Sequence, residues 1–310
     1  MSFLVEIDRG AFPGKALDAF TASAAFNLND ARAMMWMSQL AYETGDKEKV
    51  KDILGAWHLT LKEFVSNDPV TGLPPHSTCV VAAGGRNATV ISFSGTDPLK
   101  IEDWITDFTF IRSPTDLHRG FQAAVESVWA KIKPIIEQRP ATERALFFTG
   151  HSLGGALAII AAERAMRELG AKATAVYTFG SPRTGGQEFF DRYTMGLGDL
   201  TYRLVHGDDL VATVPPTLRG GFLHVGRSVQ CVSGGHFDQQ TPINLRDENK
   251  PDILISSLHA ALAAIFAFAA LHPFSSVGPR LLDRLAAFLP PMVRDHIPAN
   301  YFRALSIPLQ

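Results

Sequence analysis

A chain of 310 residues can form one large domain or two small ones, and either would bury a substantial core. Hydrophobic residues at 46% against 19% charged exclude a disordered chain, and a formal net charge of -2 provides no general pull toward polyanions, so no nucleic-acid partner is expected. Cys79 and Cys231 stand alone in apolar surroundings without CxxC spacing, which predicts two buried thiols and excludes a disulfide framework.

The opening stretch "MSFLVEIDRGAFPGKALDAF" carries early acids and no continuous apolar run before a small-residue cleavage site. No secretory leader is expected from it, and the location reads as cytoplasmic or membrane-associated. Residues 27–44 place apolar residues at helical spacing, with Asn29 or Asp30 as the N-cap. "STCVVAAGGRNATVISFSGT" predicts two strands joined by a Gly-Gly-Arg-Asn turn, a hairpin ending at Gly95-Thr96. "AAVESVWAKIKPIIEQR" then reads as a helix, "RALFFTG" as a strand and "GALAIIAAERAMREL" as a second helix. "ATAVYTFGSP", "TYRLVHGDDL" and "GFLHVGRSVQCVSGG" add three short strand regions. Strands alternating with helices, punctuated by Gly, Asp and Pro at strand ends, predict an α/β fold with a mostly parallel sheet covered on both faces. In such sheets chemistry collects at the carboxyl ends of the strands.

Gly150-His151-Ser152-Leu153-Gly154 fits the G-x-S-x-G pattern. A chain of this length holds roughly 0.1 such matches by chance, so the motif gains its force from its setting. A turn that lifts a serine above a sheet needs small neighbours, a strand before and a helix after, and all three are present. Ser152 is the candidate nucleophile, and Leu153 N–H would face a developing oxyanion. A serine hydroxyl needs a base and a group that orients the base, in the chain order Ser, acid, His. "YRLVHGDDLVATVPP" supplies Asp208 and Asp209 just after a strand-like run. No group of His, Cys, Asp or Glu has metal-ligand spacing, so neither a metal nor another cofactor is expected.

These segments resemble the class 3, or fungal-type, triacylglycerol lipases, and bacterial members in particular. "TGHSLGGALA" is similar to the family's nucleophile elbow, and "FGSPRTGGQEFF" to its "FGxPRxGNxxF" stretch, with Gly186 where Asn is common. "SFSGTD" with "IEDWITDF" resembles its oxyanion loop and lid entry, and "HRGF" its H-x-G-F element. "VHGDDLVATVPP" is similar to "THxNDxVPxLPP", which assigns the acid to Asp209 and leaves Asp208 as a neighbour. The resemblance covers roughly residues 28–216 and implies an α/β-hydrolase fold in a single domain, 1–310. It also implies Thr96 as the second oxyanion residue beside Leu153, and a lid over 98–116 to which Trp104 and Phe108 would contribute apolar contacts or ordinary packing. Ser94 stands where the family often has arginine.

Five histidines follow Asp209. His224 lies in a strand pattern, His236 follows the acid closely, His259 sits inside an apolar helical run, and His272 ends that run. His296 lies in "VRDHIPANYFRALSI", similar to a D-H-x(4)-Y-x-x-A-L segment whose histidine is the base in bacterial members of the family. His296 is preferred, with His259 and His236 as alternatives. Asp295 reads as an exposed charge near a helix N-terminus, with a supporting partner of the catalytic residues as the alternative. His118 and His206 read as structural, and His151 as shaping the pocket; His58 and His76 have no motif around them.

Residues 250–292 form an apolar helical insertion, and 253–272 contains no charged residue. A bilayer span would separate acid from base, leaving three readings: a core helix, a cap over the cleft, or a surface making peripheral contact with lipid through 253–290. The expected activity is hydrolysis of lipid carboxylic esters through a Ser-His-Asp triad and an acyl-enzyme, on a lipid ester substrate. A phospholipase or short-chain carboxylesterase is the nearest rival, and a non-catalytic lipid-binding or interaction module the rival of another class.

Overall fold

The computed structural model describes residues 7–43, 45–66, 78–85, 87–95, 111–215, 221–239, 243–244 and 291–308. An eight-stranded sheet runs in chain order through β1 (Leu59–Val65), β2 (Cys79–Gly84), β3 (Ala88–Phe93), β4 (Ala145–His151), β5 (Ala175–Phe179), β6 (Thr201–His206), β7 (Arg227–Cys231) and β8 (Ile243–Asn244). β1, β2 and β3 are antiparallel, β3 to β7 are parallel, and β8 returns antiparallel to β7. The predicted β2–β3 hairpin is present, with Gly84 and Asn87 at positive φ in its turn.

Strands β3, β5 and β6 are buried along their whole length, as expected when helices cover both faces of a parallel sheet. Alternate side chains of β4 enter two different cores. Phe147 packs with Trp36, Tyr177 and Phe302 on the face covered by α1 (Leu28–Leu40) and α7 (Pro298–Ala304). Phe148 packs with Val128, Leu157 and Phe189 under α3 (Arg119–Glu137), α4 (Leu153–Leu169) and α5 (Gln187–Leu197). Each buried aromatic of this kind contributes about 1.5–3 kcal/mol relative to exposure. Trp36 meets Phe302 edge-on at 4.5 Å between ring centroids, which seats the C-terminal helix on the sheet. The short α6 (Pro291–Arg294) precedes α7, and α2 (Lys47–Ala56) packs beside β1.

Helix starts differ from their sequence expectations by identifiable caps. Asn27, not Asn29 or Asp30, caps α1, its side chain accepting from Asp30 N–H at 2.8 Å. Asp30 is buried instead, and its carboxylate takes Thr21 N–H, the Thr21 hydroxyl and Ser23 N–H. His118 caps α3 and starts it at Arg119, a turn earlier than predicted. At α5 the N-cap is Gly186, which has no capping side chain. The Asp116 carboxylate replaces one by accepting from Glu188 N–H at 2.9 Å and Phe189 N–H at 3.3 Å.

The predicted lid positions 98–110, with Trp104 and Phe108, and residues 250–290 of the insertion lie outside the described residues. No helix among the described residues is long and apolar enough to cross a membrane. Cys79 is buried as expected, whereas Cys231 is only partly so, because β7 lies one strand from the sheet edge beside the two-residue β8.

Two glycines make opposite predictions. A Cβ at Gly154 would stand 2.8 Å from the Ser94 carbonyl, so Gly154→Ala should lower the unfolding free energy in urea by about 1–3 kcal/mol. Gly55 is exposed inside α2 with nothing within 4 Å of a Cβ, so Gly55→Ala should raise it by about 0.5–1 kcal/mol.

Candidate active site

β4 ends in a turn that only small neighbours permit. Ser152 has φ 58° and ψ -133°, a strained conformation for a residue with a Cβ, worth about 1–3 kcal/mol. The strain is held from several sides. Ser152 N–H donates to Phe179 C=O at 2.8 Å, across the end of β5. A Cβ at Gly150 would lie 2.7 Å from Gly155 N, and one at Gly155 would lie 2.7 Å from Ser181 Cβ. Gly95, at the end of the β3 segment, packs so closely that a Cβ would be 2.9 Å from Ser152 Cβ. Ser152 therefore stands at the carboxyl end of the sheet with Leu153 opening α4 behind it. Thr96, the other expected oxyanion residue, lies outside the described residues.

The structure brings Ser152 together with His296 and Asp209. His296 Nε2 is 2.9 Å from Ser152 Oγ, and His296 Nδ1 is 2.9 Å from each carboxylate oxygen of Asp209. A carboxylate can only accept, so Nδ1 carries the proton and Nε2 is left to accept from the serine hydroxyl. Asp209 is fully buried in the loop after β6. Its carboxylate also accepts from Val211 N–H at 2.8 Å and from the Tyr301 hydroxyl at 2.6 Å. Burial pushes this carboxyl up, but the His296 imidazole and the hydrogen bonds from His296 and Tyr301 more than offset it and leave it below its ordinary 3.8. Burial and the neighbouring Asp209 charge keep the Tyr301 phenol well above 10, so it remains a donor. Gly180, at φ +58°, makes room for this cluster: a Cβ there would come within 2.9 Å of both His296 Nδ1 and Tyr301 Oη.

Tyr301 is a member of the site that the sequence reading used only as a landmark. It sits on α7 five positions after His296, and its aromatic face packs edge-on to Phe179 and His151. His151 is more than a wall of the pocket. Its Nε2–H donates to the His296 carbonyl at 2.8 Å, and its Nδ1 accepts from the Tyr42 hydroxyl at 2.8 Å. Its ring centroid is 4.7 Å from that of His296. Burial, and then the nearby His296, push His151 down to about 3, which keeps it neutral beside the other imidazole.

The other histidines separate cleanly. His236 is exposed and its ring is 3.0 Å from the Arg303 carbonyl, and buried His224 is 2.7 Å from the Ala212 carbonyl. His259 and His272 lie outside the described residues. His118 accepts from Phe121 N–H, a structural role. Asp295, expected as an exposed charge, is 1% exposed. It faces inward because Asp208 N–H and the Ser233 hydroxyl point at its carboxylate, at 3.0 and 2.9 Å. Among the described residues no group of three His, Cys, Asp or Glu is placed to hold a metal ion.

The His151 environment generates a stability prediction. The unfolded chain takes up a proton at His151 near its ordinary 6.5 and the folded one only near 3, so stability present above pH 6.5 is lost as pH falls toward 3. His151→Gln should flatten the acid side of a plot of urea midpoint against pH. Parallel curves for the parent and the variant would contradict a neutral, buried His151.

Residues 90–219 match the family model for lipase (class 3). A secreted mono- and diacylglycerol lipase of Fusarium solani is 35% identical over 173 residues, 53% of this chain and 50% of that protein. A lipase of Rhizomucor miehei is 34% identical over 164 residues, 48% of this chain and 44% of that protein. The chain thus spans about half the length of the curated relatives it matches. Among solved structures, the mono- and diacylglycerol lipase of Aspergillus oryzae superposes with a TM-score of 0.56 at 21% identity, covering 81% of this chain and 94% of that one. The Rhizomucor miehei lipase–propeptide complex gives 0.54 at 24% identity, covering 67% and 68%. These likenesses establish the α/β-hydrolase fold.

The expectation of a cytoplasmic or membrane-associated location is overturned, since the Fusarium solani relative is named a secreted protein. That expectation rested on the composition of the first twenty residues, which does not by itself report a compartment. Over residues 90–219, across the strands and turns that carry Ser152 and Asp209, the chain is similar to the class 3 lipases.

Proposed function

We propose that the chain is a serine hydrolase that cleaves carboxylic esters of lipids, acylglycerols foremost. The observation that carries this reading is the hydrogen-bonded chain from Ser152 Oγ to His296 Nε2 and from His296 Nδ1 to Asp209, all three side chains being buried. Ser152 attacks the acyl carbonyl while His296 Nε2 takes its proton, and Asp209 holds the imidazole tautomer and stabilises the imidazolium. Leu153 N–H and Thr96 stabilise the tetrahedral oxyanion. His296 returns the proton to the departing alcohol, leaving an acyl-serine. A water molecule then gives a proton to His296 and attacks the acyl carbon, releasing the fatty acid and restoring the hydroxyl. This chemistry requires no metal or organic cofactor.

The glyceride preference is supported by the names of the relatives, which are lipases and mono- and diacylglycerol lipases. The designation of the Fusarium solani relative as secreted likewise supports action outside the cell.

A fluorophosphonate should label Ser152 covalently and Ser152→Ala should not label; a folded parent chain that resists labelling would sink the hydrolase reading. His296→Ala should lower kcat by roughly 10⁴-fold, whereas His236→Ala should stay within about twofold of the parent. Faster turnover of emulsified long-chain glycerides than of soluble short-chain esters would separate a lipase from an esterase. Tyr301→Phe deletes one donor to Asp209 and should cost about tenfold in kcat at nearly constant KM, read by steady-state kinetics on p-nitrophenyl butyrate.

A further inference from the structure

A second buried carboxylate, which the mechanism above leaves idle, lies one residue before the proposed base. Asp295 Oδ2 accepts from Asp208 N–H at 3.0 Å, and Oδ1 accepts from the Ser233 hydroxyl at 2.9 Å. His206, 3% exposed at the end of β6, completes its surroundings. The His206 Nδ1 is 3.3 Å from the Asp295 carbonyl and 3.7 Å from Oδ1, while its Nε2 accepts from Gly234 N–H at 3.2 Å. Only the tautomer with the proton on Nδ1 satisfies both ends of this ring. Gly207, at φ +57°, lets the carboxylate approach, since a Cβ there would stand 2.6 Å from Asp295 Cγ. One further bond, Leu210 N–H to the Met292 carbonyl at 3.0 Å, ties the same two segments.

The residue before the proposed base thus grips the residue before the proposed acid. Asp208 and Asp295 are joined beside Asp209 and His296, although the two segments are 87 positions apart in the chain. Resting on the hydrolase reading above, we infer that Asp295 is a positioning residue that sets the distance between His296 Nδ1 and the Asp209 carboxylate. Each carboxylate oxygen accepts from a different segment, Oδ2 from Asp208 and Oδ1 from Ser233. An alanine removes both acceptors, whereas an asparagine could keep both contacts by accepting from Asp208 N–H and donating to the Ser233 oxygen. Geometry is the sensitive quantity, because a displacement of about 1 Å at reacting groups can cost on the order of 10²-fold in rate.

The test compares the full-length parent, Asp295→Ala and Ser233→Ala by kcat and KM on p-nitrophenyl butyrate, and by the downfield proton resonance of His296 Nδ1–H without substrate. Asp295→Ala should lose about 10- to 100-fold in kcat with KM nearly unchanged, and its resonance should move toward that of an unpaired imidazole. Ser233→Ala, the milder change, should show a smaller loss of the same kind. A folded Asp295→Ala with kcat within about twofold of the parent and an unmoved resonance would overturn the inference. Should Asp295→Ala not fold, an unmoved kcat and resonance in Ser233→Ala would overturn it equally. A parent without turnover would defeat the hydrolase reading alone, since the resonance decides independently whether Asp295 holds His296 against Asp209.

Discussion

A carboxylate taken wholly out of water must be met by donors, and Asp209 imposes that demand on this fold. A buried charge left without partners costs several kcal/mol. Here the donors are His296 Nδ1–H, the Tyr301 hydroxyl and Val211 N–H. Two of the three come from a segment some 90 residues downstream, so the C-terminal helices must return to the carboxyl edge of the sheet. The apolar contacts of α7 make that return favourable in its own right, because Phe302 seats against Trp36 and both are almost fully buried. Packing brings the segment back, and the carboxylate fixes its register.

The serine side of the site follows a different physics. Ser152 is held in an unfavourable backbone conformation by contacts that no larger residue at its glycine neighbours would permit. That strain is local, encoded within a few residues, and stabilised by the hydrogen bond from Ser152 N–H to the neighbouring parallel strand. His151 links the two halves. It belongs to the nucleophile turn in sequence, yet it spends its donor on the carbonyl of His296. Ser152 and His296 are thereby coupled through the main chain as well as through their side chains.

Most of the sheet was legible because continuous apolar runs between glycine and proline punctuation are what parallel strands require. β1 and α2 escaped reading, although α2 does carry a signal in Asp46, whose side chain accepts from Lys49 N–H, and in buried Val50, Ile53 and Leu54. Asp295 was misread for a clearer reason. A charged residue near a helix start usually faces water, and only the approach of Asp208 N–H and Ser233 makes an inward carboxylate favourable. Tyr301 was visible as a landmark, but its bond to Asp209 depends on a turn of helix whose direction no local pattern reveals.

Sequence alone determined the local chemistry: a serine between glycines at a strand-to-helix turn, and an aspartate pair after a buried strand. Both follow from short-range rules, since backbone strain and strand burial act over a few residues. Among the histidines after Asp209, local surroundings could rank candidates but could not seat one, because a hydrogen bond between residues 87 and 144 positions apart depends on how layers pack. Tertiary structure decided that His296 lies against both Ser152 and Asp209, that His236 faces solvent, and that Asp295 turns inward. Each outcome is set by which donors and acceptors the folded sheet delivers to one edge.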